Sequence, residues 1–597
     1  MCGITGFFSP NGTLNSEGYY DAHRMIKHRG PDDEGFVSLK DGTLNRYKGD
    51  DTIEYYNSLL HVNTVDNCSM ILGHRRLSII DLSHAGHQPL MYKKLTLIYN
   101  GEIYNYKELR IELEELGYKF ETNTDNEVFL LAYYHYGNAC FEKFIGMWAA
   151  AIYNNETNEL VLCRDFFGIK PLYYYHENDT IIFGSEIKFI THFKPALKSP
   201  DSKTIYDFVH HNLKEHSEHT FFKDIKQMLP GSILTFSTNK IDFLKLSIPR
   251  NKSININKSV YDNVSRSIDY HLIADVKVGI SLSGGIDSTV IASYMASKKL
   301  AFESFSSIFP KSKEFDESKY VFETTNKYRE FITKNLIETT LEDSWNSIDE
   351  TLECLDEPYS GLGMFQPFSV YKKASEKGLK VILGGQGADE IFGGYRAQIA
   401  DYNKETLMQG GVLGFIKLFL EKKVSKALLK EVLIEKNVLR KPKNINGHFK
   451  GKYSETDFDS RTWYFNYGLR EYLFYEDRLS MWHSVEGRVP FLTTELYKLY
   501  AGLSYSEITD KGEQKVLLKE AFKAIMPNLV YQRKDKMGYV SPNQLWLNKK
   551  KDEIILFLLN SNFYSGKLEE EKLVDFDYNS LWRHYIVALW YDKKILN

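Results

Sequence analysis

Lys277 to Val290 reads KVGISLSGGIDSTV, a short apolar run that passes straight into small residues and glycines and then into the helical stretch TVIASYMASKKL. Lys380 to Tyr395, KVILGGQGADEIFGGY, has the same arrangement. Short buried-type strands alternating with helical stretches from about Tyr261 onward predict an α/β unit built on a parallel sheet. Ligands in such sheets lie beyond the carboxyl ends of the strands, so both glycine-rich loops are expected to open on one crevice. Small residues at Ser283, Gly284 and Gly285 let several N–H groups converge at the start of a helix, where the dipole favours an anion. The loop lacks the GK[ST] ending of a Walker motif.

Upstream the pattern changes. The first 190 or so residues are short apolar runs broken by Gly, Asn and Asp turns, such as MILGHRRLSIIDL, LTLIYNGEIYNY and ELVLCRDF, and predict a strand-rich α+β domain. One helix stands out, Lys107 to Tyr118, with Leu109, Leu113 and Leu116 at helical spacing. The polar stretch Thr238 to Ser259 reads as a linker or exposed edge. The expected division is a domain over residues 2–195, a connecting segment over 196–260 and a second domain over 261–597. A chain of 597 residues exceeds what one core usually supports, in keeping with that division.

Bulk properties exclude several classes. With 75 Lys plus Arg against 79 Asp plus Glu, the net charge of −4 gives no general attraction to nucleic acid or anionic membrane, so any anion site is local. The start MCGITGFFSP lacks the features of a signal peptide, and no stretch approaches the ~18 uninterrupted apolar residues of a membrane span. A cytoplasmic location is expected. Five scattered cysteines, Cys2, Cys68, Cys140, Cys163 and Cys354, form no CxxC pair, and four are expected to be free buried thiols.

Cys2 is different. Removal of Met1 would place a thiol and a free α-amine on one residue, and an N-terminal amine titrates near ~7.7 to 8.0, suitable for exchanging a proton with a nucleophile. CGITGFF, HRGPDDEG (His28 to Gly35), GHRRLSIIDLS (Gly73 to Ser83), NGEIYN (Asn100 to Asn105) and TDNEV (Thr124 to Val128) then follow in order. As a set they resemble the class II glutamine amidotransferase domain, over roughly residues 2 to 190. The resemblance implies an Ntn-hydrolase-type sandwich in which Cys2 attacks the glutamine carboxamide. It further implies that the Asn100 side-chain amide and the Gly101 N–H form the oxyanion hole, and that Arg76 grips the substrate carboxylate through its guanidinium fork. Asp125 and Glu102 match positions that face the substrate ammonium, Glu102 being equally readable as structural. Arg75 reads as structural, and Arg29 with Asp32 as a turn held by its own ion pair.

SGGIDS likewise resembles the pyrophosphate-binding loop of the ATP pyrophosphatase family, an adenine nucleotide α hydrolase-like fold. DEPYS (Asp356 to Ser360), GGQGADEIFGGY (Gly384 to Tyr395), EDRLSMWHSVEGRVPFL (Glu476 to Leu492) and RKDKMGY (Arg533 to Tyr539) extend the resemblance to asparagine synthetases over most of the chain. It implies that ATP activates an aspartate side chain as an acyl adenylate, pyrophosphate leaves, and ammonia from the first site completes the amide. Leu282, Ser283, Gly284, Gly285, Asp287, Ser288, Gly384, Gly385 and Lys536 are the implied ATP contacts. Asp287 and Asp389 are the implied Mg2+ ligands, oxygen donors that suit this ion. Gln386 and Asp389 fall on the acceptor side. Arg488 reads as an interface brace, and a homodimer is expected by resemblance.

Three positions depart from the family pattern. Gln386 stands where glutamate is usual, Gly384 where serine is, and Thr493 where aspartate follows PFL. A neutral amide cannot act as a general base. The sequence therefore leaves a second reading, an amidotransferase of the same build acting on another carboxylate such as a uronic acid in surface-polysaccharide synthesis.

Overall fold

The computed structural model describes residues 2–238, 240–248, 260–420, 463–509, 513–534, 541–566 and 569–596. Three sheets organise them. A seven-stranded antiparallel sheet runs in the order Lys226–Gln227, Tyr173–Glu177, Thr180–Gly184, Cys2–Phe8, Met70–Arg76, Asp33–Lys40, Thr43–Tyr47. A six-stranded antiparallel sheet runs Lys240–Lys245, Ser232–Ser237, Glu159–Arg164, Gly146–Asn154, Leu95–Ile103, Leu90–Tyr92.

These two sheets pack face to face. Ile4, Phe8, Leu72 and Phe183 of the first meet Ile98, Ala149, Ala151 and Leu162 of the second in one buried cluster. Alternate residues of the same strands face outward: Tyr99, Ala150 and Ile152 pack against Val128 and Phe129 of the helix Asp125–Tyr136. The period-2 alternation of a strand thus supplies a core on each face. On the far side of the first sheet, Phe7, Phe36 and Ile71 meet Tyr19, Ile187 and Phe189 of two short helices. The result is helices, sheet, sheet, helices.

The structure differs from the sequence reading at three points. The clear helix runs Tyr106–Glu115 rather than Lys107 to Tyr118, stopping before the left-handed Gly117. The helix Asp125–Tyr136 was not anticipated, because it is buried along most of its length and its apolar residues show no one-sided spacing. The sandwich also does not end at residue 195. Ser232–Ser237 pairs with Glu159–Arg164, and Lys240–Lys245 forms the exposed edge beyond it, so strands assigned to a connecting segment complete the second sheet. Part of the polar stretch Thr238 to Ser259 lies outside the described residues.

The third sheet is parallel, in the order Ile332–Glu338, Phe302–Ile308, Val278–Ser281, Val381–Leu383, Glu486–Arg488. Val278–Ser281 lies at its centre, with chain-order neighbours on one side and later strands on the other. This is the topological switch point at which an open α/β sheet leaves a crevice. No described helix is long and apolar enough to cross a membrane. All five cysteines are free and buried, Cys2 among them.

Candidate active sites

Cys2 begins the central strand of the first sheet, and antiparallel register places it opposite Arg76, the last residue of the neighbouring strand. The second sheet delivers Asn100 and Gly101 from the strand Leu95–Ile103. The sheets meet at the site: the Cys2 nitrogen donates to Asn100 Oδ1 at 2.9 Å. That bond commits the amide's acceptor, and the buried Asn100 Nδ2 has no hydrogen-bond partner. A buried unpaired donor is costly, and an oxyanion beside Cys2 is the group that would satisfy it. Gly101 must be glycine, since a Cβ would run into the Met147 carbonyl.

A small cavity is lined by Cys2, Arg76, Gly101, Glu102 and Asp125, so the residues assigned to glutamine come together, with Asn100 immediately behind them. Arg76 is locked in place by donating to the carbonyl of Ser83 at 2.7 Å and to that of Asp81. Gly86 leaves the room its guanidinium occupies. Asp125 accepts from the Tyr99 hydroxyl and the Ile103 N–H, both at 2.9 Å. Burial pushes the Asp125 carboxyl and the Cys2 thiol up from their ordinary values. A thiol held neutral by burial needs a base at hand to become a nucleophile.

Glu102 has two faces. It lines the cavity, and it also lies 3.5 Å from Arg488 of the parallel-sheet domain. Burial, with Glu486 and Asp125 nearby, pushes its carboxyl well up. Arg488 also pairs with Glu486 and donates to the carbonyls of His271 and Ile273 at 2.8 and 2.7 Å, all within its own domain, while its guanidinium lies 5.5 Å from the Tyr104 ring of the other.

The second site is a cavity of about 250 Å3 at the switch point of the parallel sheet. The first loop contributes Leu282, Ser283, Gly285, Asp287 and Ser288 to its wall, and the second contributes Gly385, Gln386 and Asp389. Gly284 and Gly384 lie behind the wall rather than in it. Gly284 has φ +77° and shapes the turn, and Gly285 caps the helix Ile286–Ser297, whose N-terminus faces the cavity. Lys536 lies outside the described residues.

Sequence reasoning missed Lys515. Its ammonium pairs with Asp389 Oδ1 at 2.6 Å and with both oxygens of Asp287, so the two carboxylates converge closely enough to share one cation. That convergence fits a divalent metal held by oxygen donors. Lys515 has φ +57°, a left-handed conformation uncommon for a non-glycine residue and frequent at functional sites. The sequence KGEQK carries no spacing that would single it out. Arg533, quoted in RKDKMGY but given no role, packs 4.1 Å over the Tyr320 ring, donates to the Gly284 carbonyl at 3.1 Å and pairs with Glu317. It fixes the first loop from below.

The two sites are joined by buried charge. Arg29 Nε donates to the Cys2 carbonyl at 3.1 Å, while its fork reaches Asp477 at 2.9 and 3.1 Å and Glu186 at 2.9 Å. Asp32 pairs with Lys380 at 2.7 Å. The expected ion pair inside the HRGPDD turn is therefore replaced by two contacts to the other domain. Arg75 is structural, held by Glu34 at 2.8 Å and Asp51 at 2.6 Å.

Comparison with known proteins matches two family models in succession along the chain. The model of the glutamine amidotransferase domain matches residues 61–246, and that of asparagine synthase matches residues 259–585. Asparagine synthetase [glutamine-hydrolyzing] 1 of Bacillus subtilis is 29% identical, covering 100% of this chain and 97% of its own length. Asparagine synthetase [glutamine-hydrolyzing] 3 of the same organism is 27% identical over 96% of this chain and 94% of its own. Amidase chry2 of Gibberella zeae is 24% identical over 93% and 92%. With more than half of its length matched by that second model and a glutamine amidotransferase domain preceding it, the chain belongs to the asparagine synthase family.

Proposed function

We propose that the two cavities carry out successive halves of glutamine-dependent asparagine synthesis, a carbon–nitrogen ligation driven by ATP. In the first, the Cys2 thiol attacks the glutamine carboxamide, its proton passing to its own α-nitrogen. Asn100 Nδ2 and the Gly101 N–H stabilise the oxyanion; one preorganised donor is worth ~2.7 to 4 kcal/mol in such a state. Arg76 binds the substrate carboxylate, and Asp125 with Glu102 binds its ammonium. Ammonia leaves, and glutamate follows after hydrolysis.

In the second cavity ATP lies with its phosphates on the Ser283–Ser288 loop, at the N-terminus of the helix that follows. The aspartate side chain attacks the α-phosphorus, pyrophosphate leaves, and ammonia displaces AMP to give asparagine. Asp287 and Asp389 would hold Mg2+, which supplies charge neutralisation on the phosphates. Lys515, Lys519 and Arg533, all on the cavity wall, add positive charge around them. Lys536 is assigned to the phosphates by resemblance alone. The names of the relatives favour aspartate over a uronic acid as acceptor. In this reading the enzyme works in the cytoplasm as a homodimer, a point for gel filtration.

The observation that carries the reading is the buried, unpaired Asn100 Nδ2 of the side chain that holds the Cys2 nitrogen, a donor that an oxyanion would satisfy. Cys2→Ala is expected to abolish asparagine formation from glutamine while leaving formation from ammonium intact. Loss of both activities in a folded variant would contradict two separate sites.

A further inference from the structure

Two of the three departures from the family pattern meet at one side chain. Gln386 stands in place of glutamate and Gly384 in place of serine, and Glu476 touches both. Gln386 Nε2 donates to Glu476 Oε2 at 3.5 Å. A Cβ on Gly384 would stand 2.9 Å from Glu476 Oε1, and one on Gly487 would stand 3.3 Å from the same oxygen. Two glycines thus leave the space that this carboxylate fills. The Tyr371 hydroxyl donates to Oε1 and holds it there.

Glu476 is 7% exposed, yet among the described residues no lysine or arginine comes within ion-pair distance of it. Lys170, a buried cation whose charge bears on it, pairs with Asp477 instead, at 3.7 Å. A buried carboxylate with no cation is expensive unless the site uses it. Its position is informative. On the helix Leu469–Trp482, Glu476 faces Gln386 on the wall of the nucleotide cavity, and the next residue, Asp477, faces Arg29 and through it Cys2. Glu476 therefore lies directly behind Gln386, itself on the cavity wall, and on the helix that also reaches Arg29.

We propose that Glu476 receives the proton released by the nitrogen nucleophile in the amide-forming step, in place of the carboxylate that Gln386 lacks. The inference rests on the function proposed above. Ammonia forms a bond to the acyl carbon, the acyl C–O bond to AMP breaks with its electron pair leaving on AMP, and the surplus N–H proton goes to Glu476. Gln386, with Nε2 committed to Glu476, keeps its Oε1 as an acceptor for the incoming N–H. The negative charge stands on the neighbouring helix rather than on the loop, and the bare Gly384 leaves room for it.

The groups that face Glu476 are Tyr371 and Gln386, which bond to it, Lys170, and Asp477 on its own helix. Burial is the largest influence and raises its carboxyl above the ordinary range. Deprotonated Glu476 is then lost on the acid side at a higher pH than for an exposed glutamate, and amide formation should fall with it.

The test compares wild type, Glu476→Gln and the double variant Glu476→Gln with Gln386→Glu in two assays. One is aspartate-dependent exchange of pyrophosphate into ATP, which reports activation alone. The other is asparagine formation from ammonium as a function of pH. Glu476→Gln is expected to keep exchange, to lose ~10²–10⁴-fold in amide formation, the usual contribution of a positioned acid or base, and to lose the acid limb. Gln386→Glu is expected to restore amide formation in the double variant. Wild-type amide formation by Glu476→Gln with an unchanged pH profile would overturn the proposal alone. So would equal loss of both assays without rescue, the mark of a structural role. Absence of exchange in wild type would overturn the functional reading and this proposal together.

Discussion

Asn100 uses both ends of one amide, Oδ1 to hold the nitrogen of Cys2 and Nδ2 as the free donor. Asn100→Ala should lower glutamine-dependent turnover by at least ~10²–10³-fold, the cost of one oxyanion donor, with ammonium-dependent turnover unchanged. Steady-state rates with each nitrogen source check this. Residues of this kind could be picked out as candidates in the sequence because their motifs are local: Asn100 and Gly101 are adjacent in NGEIYN, and Asp125 lies in TDNEV. Lys515 and Glu476 were not legible. Lys515 pairs with Asp287, 228 positions away, and Glu476 accepts from Gln386, 90 positions away, and no local spacing encodes such pairs. The same physics overturned the pairing of Arg29 with Asp32. Sequence neighbours of opposite charge pair only if nothing better is brought to them, and folding brought Asp477 and Lys380.

At the scale of elements, the strand-to-loop-to-helix unit that binds phosphate depends on Gly284. Its φ of +77° is a region where a side chain costs ~1–2 kcal/mol, and a Cβ would stand 2.8 Å from the Tyr320 Cβ. Gly284→Ala is therefore expected to raise the KM for ATP while glutamine hydrolysis continues, as measured by glutamate release. The parallel sheet was read correctly from two strands because each runs straight into its glycines. The sandwich was read only in outline. Its helix Asp125–Tyr136 carries apolar residues around most of its surface, since it is covered on several sides, and a helix without a polar stripe has no amphipathic signature to find. The strand Lys240–Lys245 is polar and exposed because it is an edge, and composition alone does not separate such a strand from a linker.

For the whole molecule, the interface between domains is held by buried ion pairs as well as by apolar packing. Removing one partner of such a pair leaves an uncompensated buried charge, typically at a cost of ~3–5 kcal/mol. Arg29→Ala should therefore lower the Tm, and because Arg29 also bonds to the Cys2 carbonyl, it should depress glutamine-dependent turnover more than ammonium-dependent turnover. Acid should loosen the same molecule. Burial holds His271 down to about 3 and His483 and His584 down to about 4, so all three are neutral when folded. The unfolded chain protonates histidine below about 6.5, so this contribution is complete above that pH and is lost progressively as pH falls from there toward 4. Glu486 works in the same direction lower down. Burial alone would raise it, but Arg488 and Lys170 help hold it at about 2, so its contribution is present above the ordinary carboxylate range and lost below it. The Tm followed from pH 7 down to about pH 4 should fall steadily. A Tm constant over that range would contradict neutral buried histidines.

One chain joins glutamine hydrolysis to ATP-dependent amide formation. Purified protein given aspartate, glutamine and Mg-ATP should release glutamate, AMP and asparagine in equal amounts, and ammonium in place of glutamine should give AMP and asparagine without glutamate. Glutamate released with neither AMP nor asparagine formed from either nitrogen source would contradict it.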